Sequence, residues 1–366
     1  MTKKSKRTPL KKQQIAVPKT EKPNIFSNKT LIRVSYVFFL IICAGVSVCT
    51  LFIIETKESA FELALIENNP VYITPQEPVV PFPLGVNPLT QAIEENPAVA
   101  TFFEMHITST DRHPSKVGWW YKNITAKLAR LDWYQNLASP ISRILIAEPG
   151  ERREEVVDHF GDILRWDTAE RNMFVSLVAS SSPQLYEGKF FPGRYVVEKD
   201  ATPETVANII TKGFYEHIAS RYTDEIARVV PLNDALTIAS LLEREAYDFE
   251  DMRFISGVIW NRLFEDMHLQ IDASLQYARA NAGDQLWWPV PEPKDKYIDS
   301  VFNTYEHKGL PPSPIANPSP EALLAALNPK ATECIFYFHD SDGAFHCTKT
   351  YEEHVALLKK YYGRGR

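Results

Sequence analysis

An unbroken apolar run near the amino terminus constrains this chain more than any other feature. Residues 34–54 are 21 positions without one charged side chain, most of them Val, Phe, Leu, Ile, Ala or Cys. About 20 apolar residues cross roughly 30 Å of hydrocarbon as a helix. The residues that follow, Glu55, Thr56 and Lys57, contain no small-residue cleavage site of a secretory signal. The pattern predicts a transmembrane signal anchor at 34–54.

The charge distribution predicts the orientation of this anchor. Residues 1–33 carry ten Lys or Arg and one acid, a net charge of +9, while the whole chain of 366 residues carries −6, which leaves −15 for the remainder. Positive charge just before a span keeps that side in the cytoplasm. We therefore expect a single-pass protein of the inner (cytoplasmic) membrane, with a basic cytoplasmic tail at 1–33, an extracytoplasmic remainder and no nucleic-acid partner.

Composition divides the remainder into three parts, and the predicted fold class is α+β. Prolines are dense in 55–98, which predicts an extended extracytoplasmic linker. In 99–199 the segment SRILIAEPG predicts a strand and a turn, followed by an amphipathic helix, so that this part is a small α+β subdomain. The part 200–366 mixes helices with one hairpin. Its predicted helices are 203–222, 234–247, 251–264, 321–327 and 351–362.

The predicted helix containing TIASLLEREAY presents two candidate acids. Helical spacing gives it a broad apolar face, with Arg244 opposite and solvated, and with Glu243 and Glu245 at the margins of the face. A carboxyl group beside an apolar surface can have a raised pKa, so that it holds a proton to donate at neutral pH. It can equally flank the face and reach water. Periodicity does not choose between the two glutamates.

Cysteine and histidine spacing predicts neither a metal site nor a cofactor. The chain has no C-x-x-C pair. Cys334 and Cys347 flank the predicted hairpin, where an oxidising compartment permits a disulfide, but the sequence leaves their pairing open. The DSDG segment resembles the start of a calcium loop, yet the twelfth position counted from Asp340 is Tyr351 instead of Glu. A hairpin turn is the better interpretation.

Five motifs follow one another in a specific order. They are LYEGKFFPGRYVV, ASLLEREA, SGVIWNRLFEDMHLQIDASLQYA, FNTYEHKGLPPSPIANPSPEALLAALNP and FYFHDSDGAFHCTKTYEEH. Together, over about residues 140–362, they closely resemble the YceG-like family, the MltG endolytic murein transglycosylases. The chain departs from the family's pattern at Gly193–Arg194, where Asp-Thr is usual, and at Ile271–Ser274, where T-D-P-T is usual.

The resemblance implies an endolytic murein lytic transglycosylase. Such an enzyme cleaves the MurNAc–GlcNAc bond within peptidoglycan strands, leaves a 1,6-anhydro-MurNAc end and limits or terminates glycan elongation. The implied catalytic acid/base is Glu243, the first glutamate of A-S-x-x-E-x-E. The implied substrate-binding residues are other polar motif positions: Glu187, Asn261, Arg262, Gln270, Asp272, Asn303, Thr304 and Tyr305.

The same resemblance implies the domain types and the partners. It implies a LysM-like subdomain at 99–199 and a YceG-like catalytic domain at 200–366. The implied partners are peptidoglycan glycan strands, with peptidoglycan synthases or division proteins as further candidates. Two other functions stay open: a non-catalytic peptidoglycan-binding scaffold of the same fold, and a hydrolase that uses Asp272 or Glu187 as its second carboxylate.

Overall fold

The computed structural model describes residues 36–47, 79–107, 142–180, 187–281 and 287–363. The chain divides into two compact units, Met1–Glu55 and Thr56–Arg366. In the first unit, residues 36–47 form a helix with exposed side chains. Within the described ranges, none of the helices combines the length and the apolar character that a membrane span requires. The predicted anchor lies partly, and the predicted basic tail wholly, outside the described residues, so both stay predictions.

The second unit is a mixed α+β structure, as predicted. Its described helices are α1 (Ala98–His106), α2 (Arg153–Leu164), α3 (Thr168–Ser180), α4 (Pro203–His217), α5 (Asp224–Val229), α6 (Leu232–Glu245), α7 (Phe249–Phe264), α8 (Asp272–Asn281), α9 (Pro320–Leu327) and α10 (Tyr351–Tyr362). Its described strands are β1 (Val86–Asn87), β2 (Ala92–Ile93), β3 (Ser142–Ala147), β4 (Gly193–Glu198), β5 (Phe336–His339) and β6 (Phe345–Thr348).

The described strands form three antiparallel pairs. β1 pairs with β2, β3 with β4, and β5 with β6. In the second pair, Ser142 lies opposite Glu198 and Ala147 opposite Gly193. The third pair is the predicted hairpin, and a disulfide joins Cys334 to Cys347 across it. At its tip the Asp340 carboxylate accepts hydrogen bonds from the backbone N–H groups of Asp342 and Ala344, which is the turn that the sequence favoured over a calcium loop.

Two hydrophobic clusters hold the second unit together. The first, which we call the helical core, is built around α6, α7 and α9 and contains fully buried side chains such as Leu236, Ile238 and Leu241. The second, which we call the β3–β4 core, packs that strand pair against α2, α3 and the first half of α4, with Phe160 and Phe174 at its centre. Both clusters contain residues that the sequence predicted to lie on the apolar faces of helices.

The predicted linker is wrong for its last part. Phe82 and Val86 are buried in the helical core, and the Gly85 N–H donates to the Leu327 carbonyl at 2.9 Å. The Asn328 side chain donates to the Pro83 carbonyl at 2.7 Å. Proline density indicated an extended chain, but it did not reveal that the apolar residues between the prolines pack against the helices. From residue 82 onward this segment therefore belongs to the globular unit.

The packing also crosses the predicted boundary near residue 200. Helix α4 contributes Val206 and Ile210 to the β3–β4 core and Phe214 to the helical core. Helix α1, at the start of the predicted subdomain, contributes Val99 and Phe102 to the helical core. The two cores are thus shared between the predicted domains, because amphipathic helices can bury opposite ends of one face in different clusters.

Candidate active site

Helix α6 places both candidate glutamates in its last turn. Its apolar face is fully buried against α7 and α9, which fixes the rotation of the helix about its axis. The helix ends at Glu245 because Ala246 is in an extended conformation. Glu243 and Glu245 are half-buried and Arg244 is exposed, as the periodicity predicted. Carboxylates at a helix carboxyl end face the negative end of the helix dipole, so each needs a compensating partner.

The partner of Glu243 is the amino terminus of another helix. Its Oε2 accepts hydrogen bonds from the Ser319 backbone N–H at 3.0 Å and from the Ser319 hydroxyl at 2.7 Å. Ser319 is the N-cap of α9, where its Oγ accepts from the Ala322 N–H at 3.1 Å. A helix amino terminus carries unpaired N–H groups and partial positive charge, so it favours an anion. The carboxylate of Glu243 is therefore held by two hydrogen-bond donors of Ser319 at a helix amino terminus, where a negative charge is stabilised.

The loop that delivers Ser319 is fastened to α6 and to the turn after β3. The Ile315 N–H donates to Ser240 Oγ at 3.0 Å. Asn317 is fully buried, and both its backbone N–H and its side-chain amide donate to the Glu151 carbonyl, at 2.8 and 2.9 Å. Its Oδ1 accepts from the Phe190 N–H at 3.0 Å. Buried polar groups that are fully satisfied specify one arrangement. The loop therefore presents Ser319 in a fixed position.

A glycine lets the turn after β3 lie against the same glutamate. Gly150 has φ of +81° and its N–H donates to the Asn317 carbonyl at 2.9 Å. A Cβ at this position would lie 3.4 Å from Arg244 Cδ and 3.5 Å from Glu243 Cγ. The side chains of Glu243 and Arg244, both on α6, thus lie against Gly150. An added Cβ would make ordinary van der Waals contacts here, so it is the positive φ that favours glycine.

Arg244 stacks on an aromatic ring beside this point. Its guanidinium carbon lies 3.9 Å from the centroid of the Trp288 ring, within cation–π range. The indole N–H of Trp288 donates to Glu155 Oε2 at 2.9 Å. Arg244 interacts electrostatically with Glu155, Glu243 and Glu245. It therefore supplies positive charge next to the candidate acid on an otherwise acidic side of the helix.

Glu245 has a different environment from Glu243. Its Oε1 accepts from the Ala273 N–H in the first turn of α8 at 3.3 Å, and its Oε2 accepts from the Tyr337 hydroxyl of β5 at 3.2 Å. Burial raises the pKa of Glu245, with the charge of Asp272 acting in the same direction and the Ala273 hydrogen bond opposing it. Both oxygens are thus engaged by protein donors. Glu245 joins α6 to α8 and to the hairpin.

Four of the predicted substrate-binding residues gather near Glu245. The Tyr305 hydroxyl donates to Asp272 Oδ1 at 2.7 Å, and both side chains are at least partly accessible. Gln270 is exposed, has φ of +52° and donates its backbone N–H to the Thr304 carbonyl. Thr304 is buried and its Oγ1 accepts from the Ile271 N–H. Gln270, Asp272 and Tyr305 are placed where a ligand could reach them, whereas Thr304 fastens the loop beneath.

Three other predicted substrate-binding residues use their side chains to hold the protein together. The Asn261 amide donates to the carbonyls of Thr332 and Cys334, at 2.7 and 3.0 Å. Arg262 is buried, with Nε donating to the Ile335 carbonyl at 2.6 Å. Asn303 is fully buried and its amide donates to the carbonyls of Lys296 and Ile298. These three side chains bond to backbone carbonyls of neighbouring segments, and their part in substrate binding stays a prediction.

Glu187 lies on the Glu243 side but is fully buried. Its Oε1 accepts from the Arg153 N–H, the first of α2, at 2.7 Å. Burial raises its pKa to about 8, with Glu154 acting in the same direction and Arg153 and Arg152 opposing. The neighbouring Gly188 packs on the Pro314 ring, beside the loop that carries Ser319. Glu187 therefore caps α2 and supports the site from behind, without surface from which to contact a glycan.

Gly150, Trp288 and Ser319 were not predicted from the sequence. A Pro-Gly turn after a strand and a Ser-Pro pair before an apolar run are recognisable local signals, for a turn and for an N-cap. Neither signal states which distant side chain the turn or the cap will face. Within the described residues, no group of three or more His, Cys, Asp or Glu is arranged to hold a metal ion.

Comparison with known proteins assigns the family. A sequence model of the YceG-like family matches residues 85–360, about three quarters of the chain. The chain belongs to the YceG-like family. A crystal structure of a YceG-like protein from Listeria monocytogenes shares the fold with a TM-score of 0.51 and 27% identity, over 58% of this chain and 75% of that one.

Two curated relatives have names that state an activity. An endolytic murein transglycosylase of Bacillus subtilis is 34% identical over 176 residues, which are 48% of this chain and 48% of the relative. An endolytic murein transglycosylase of Streptococcus pneumoniae is 30% identical over 169 residues, 46% of this chain and 31% of the relative. The chain thus spans about half the length, or less, of these curated relatives.

Proposed function

We propose that this YceG-like protein is an endolytic murein lytic transglycosylase, with Glu243 as its single acid/base. The observation that carries the proposal is the carboxylate of Glu243 held by Ser319 at the amino terminus of α9. It is supported by the names of the Bacillus and Streptococcus relatives. The substrate is the bond between MurNAc and GlcNAc within a peptidoglycan strand. The reaction limits or terminates strand elongation.

The reaction needs one carboxyl group in two protonation states. Protonated Glu243 gives its proton to the glycosidic oxygen as the bond from that oxygen to C1 of MurNAc breaks, which leaves positive charge at C1 and ring oxygen. The C6 hydroxyl oxygen of the same sugar attacks C1, and the Glu243 carboxylate takes the proton of that hydroxyl. The product ends in 1,6-anhydro-MurNAc, and Glu243 is protonated again. Attack within one sugar gains the effective molarity of an intramolecular reaction.

The surroundings of Glu243 favour this route over hydrolysis with two carboxylates. A retaining or inverting hydrolase needs a second carboxylate that faces the sugar or a water. Glu187 is fully buried, and Asp272 accepts from Tyr305 on the Glu245 side of the helix. Two other groups lie beside Glu243: the loop that Asn317 fastens, and Arg244, which stacks on Trp288. One glutamate with a fixed orientation matches the lytic reaction.

The location and the partners are part of the same proposal. The basic tail at 1–33 and the apolar run at 34–54 support a single-pass anchor in the cytoplasmic membrane. The catalytic region would then face the extracytoplasmic wall, with a LysM-like subdomain before it, and the glycan strand as its partner. Peptidoglycan synthases and division proteins work on the same strands and are candidate partners at that membrane.

Mass spectrometry of the products tests the proposal. The purified full chain is incubated with uncross-linked murein strands, and the new strand ends are identified. Anhydro-MurNAc ends are expected. New reducing ends, one water heavier, would replace the proposal with a hydrolase. Binding to the strands without any cleavage would replace it with a peptidoglycan-binding scaffold.

A further inference from the structure

Two opposite charges flank the Tyr305 side chain on the Glu245 side of the site. The Tyr305 hydroxyl donates to Asp272 Oδ1 at 2.7 Å, and the Lys296 ammonium lies 4.7 Å from the centroid of the Tyr305 ring, within cation–π range. Burial raises the pKa of the Tyr305 hydroxyl, and its hydrogen bond to Asp272 acts in the same direction, so the hydroxyl stays a donor. We call Asp272, Lys296 and Tyr305 the Tyr305 cluster.

Both charges of the Tyr305 cluster are open to solvent. Asp272 and Lys296 are exposed, and in the part of the chain that the structure describes neither forms an ion pair. Lys308, in the loop that follows Tyr305, instead pairs with Asp266 at 2.6 Å. A ligand that carries both an ammonium and a carboxylate could therefore bond to Asp272 and Lys296 without breaking an ion pair of the protein.

A buried amide fixes the position of Lys296 relative to Tyr305. Asn303 is fully buried, and its side-chain amide donates to the Lys296 carbonyl at 3.0 Å. Its Oδ1 accepts from the Tyr305 N–H, also at 3.0 Å. Lys296 belongs to a short 3₁₀ helix, Pro293–Tyr297, and Asn303 thus joins this helix to the segment that carries the ring. Satisfied buried polar groups specify one arrangement.

The Asp272 segment is held to the end of helix α6. Glu245 Oε1 accepts from the N–H of Ala273, the residue after Asp272, at 3.3 Å. Glu245 and Glu243 both lie in the last turn of α6. The Tyr305 cluster is therefore tied to the helix end that carries the candidate acid, on the opposite side from Ser319.

We propose that the Tyr305 cluster binds the peptide that MurNAc carries, with Asp272 facing a free amine of that peptide and Lys296 facing a carboxylate. This inference rests on the proposed transglycosylase activity and deepens it by naming a second part of the substrate. The N-acetylated sugars of the glycan backbone are uncharged, so they offer no counter-charge to either residue. The peptide of an uncross-linked strand has carboxylates and a free amine, and a cross-link consumes the amine.

Chemical modification of the strands tests each contact separately. One batch of uncross-linked strands is divided into three preparations: unmodified, acetylated at the free amines, and amidated at the carboxylates. The KM for release of anhydro ends is measured with the full chain. The Kd is measured with the full chain carrying Glu243→Gln, so that cleavage does not interfere with binding.

Each modification should raise KM and Kd of the otherwise unchanged chain by about threefold at low salt, which is the size of one exposed charge pair. Asp272→Asn should raise both values by a similar factor, show no further response to acetylation and still respond to amidation. Lys296→Gln should show the reverse pattern. High salt should remove all of these differences, because exposed charges are screened.

The matched control is Lys294→Gln. Lys294 lies on the same short helix as Lys296, but its ammonium pairs with Glu292 at 3.0 Å. The substitution removes the same charge from the same part of the surface. Because Lys294 does not belong to the Tyr305 cluster, this variant should respond to acetylation and to amidation as the wild type does.

Three results would overturn the inference. One is a wild-type chain that binds all three preparations equally. Another is an Asp272→Asn variant that still responds to acetylation, or a Lys296→Gln variant that still responds to amidation. The third is a Lys294→Gln variant that loses the response to amidation, which would reduce the effect to overall surface charge. A wild type that releases no anhydro ends refutes the proposed function instead, and the pattern of Kd values then still tests the peptide site.

Discussion

Glu243 and Glu245 make a natural comparison, because they lie two residues apart on the same helix. On the Glu243 side, the carboxylate meets a helix amino terminus, a glycine turn and a stacked arginine. On the Glu245 side, both oxygens are engaged by Ala273 and Tyr337, and they join three elements. The environment, and not the position on the apolar face, thus distinguishes the two glutamates, and the acid/base role is proposed for Glu243 only.

The comparison also shows why a raised pKa is not sufficient to nominate an acid. Burial raises the pKa of Glu245 and that of Glu187, yet both carboxyl groups bond to groups of the protein that hold elements together. Structural networks perturb titration as readily as active sites do. The proposal for Glu243 rests instead on the family motif and on the orientation that Ser319 gives its carboxylate.

The largest expected effect comes from replacing the two glutamates, one at a time, with glutamine and measuring the rate. Glu243→Gln keeps an oxygen for Ser319 but removes the transferable proton, so the rate of release of anhydro-ended fragments should fall by about 100- to 10,000-fold. Glu245→Gln weakens a hydrogen bond that holds α8 or the hairpin, which should lower the rate by about fivefold. Equal losses in the two variants would remove the distinction between the two sides.

Substitution of Gly150 should disturb the Glu243 side selectively. Gly150→Ala places a side chain at φ of +81° in the turn whose N–H donates to the Asn317 carbonyl, so relief of that strain should shift the Ser319 loop and lower the rate by about tenfold. Gly343, in the hairpin turn, has the same φ of +81° with no atom closer than 4.0 Å to an added Cβ. Gly343→Ala carries similar backbone strain and should keep its rate. Comparable activity losses in both would point to strain alone.

Glu187 tests how a buried glutamate that takes no part in the proposed reaction changes the pH dependence of stability. Its pKa is raised from 4.5 to about 8 by burial, so between these values the unfolded chain releases a proton that the folded chain keeps. The free energy of unfolding should therefore decrease as the pH rises from about 5 to 8, by on the order of 4 kcal/mol. Glu187→Gln keeps an acceptor for the Arg153 N–H and should flatten this slope in urea titrations. An unchanged slope would contradict the assignment.

The smallest effect is expected from opening the hairpin disulfide on the Glu245 side. Cys334 and Cys347 close a loop with a separation of 13 residues, and loss of the bond in the double serine variant should cost about 3 kcal/mol of unfolding free energy. Because the hairpin reaches α6 through Tyr337 and Glu245, the rate should follow that of Glu245→Gln. A rate loss as large as that of Glu243→Gln would show that the hairpin takes part in the chemistry.

Local features of the fold were predictable from the sequence. The closing helix begins and ends at the predicted residues, Tyr351 and Tyr362, because Thr350 caps it and Gly363 ends it in the left-handed region. The hairpin forms around the predicted turn at DSDG. The apolar segment around Phe82 was missed because its packing partners, such as Leu327, lie far along the chain.

The candidate site was predictable only in part, for the same reason. The pattern of α6 narrowed the acid to two glutamates, and the family motif selected Glu243. The partner Ser319 lies 76 residues further along the chain, and no local rule links the two positions. Asn261 and Asn303 are polar residues in family motifs, and a motif gives no indication of whether an amide binds a ligand or fastens a loop.

The most direct test of the central claim uses water labelled with heavy oxygen. Wild type, Glu243→Gln and Glu245→Gln digest the same murein strands in that water, and the new strand ends are weighed. Wild type should release anhydro-MurNAc ends without the label, Glu245→Gln fewer of the same ends, and Glu243→Gln almost none. Labelled reducing ends from the wild type, or anhydro ends released by Glu243→Gln at the wild-type rate, would contradict a lytic reaction with Glu243 as its acid/base.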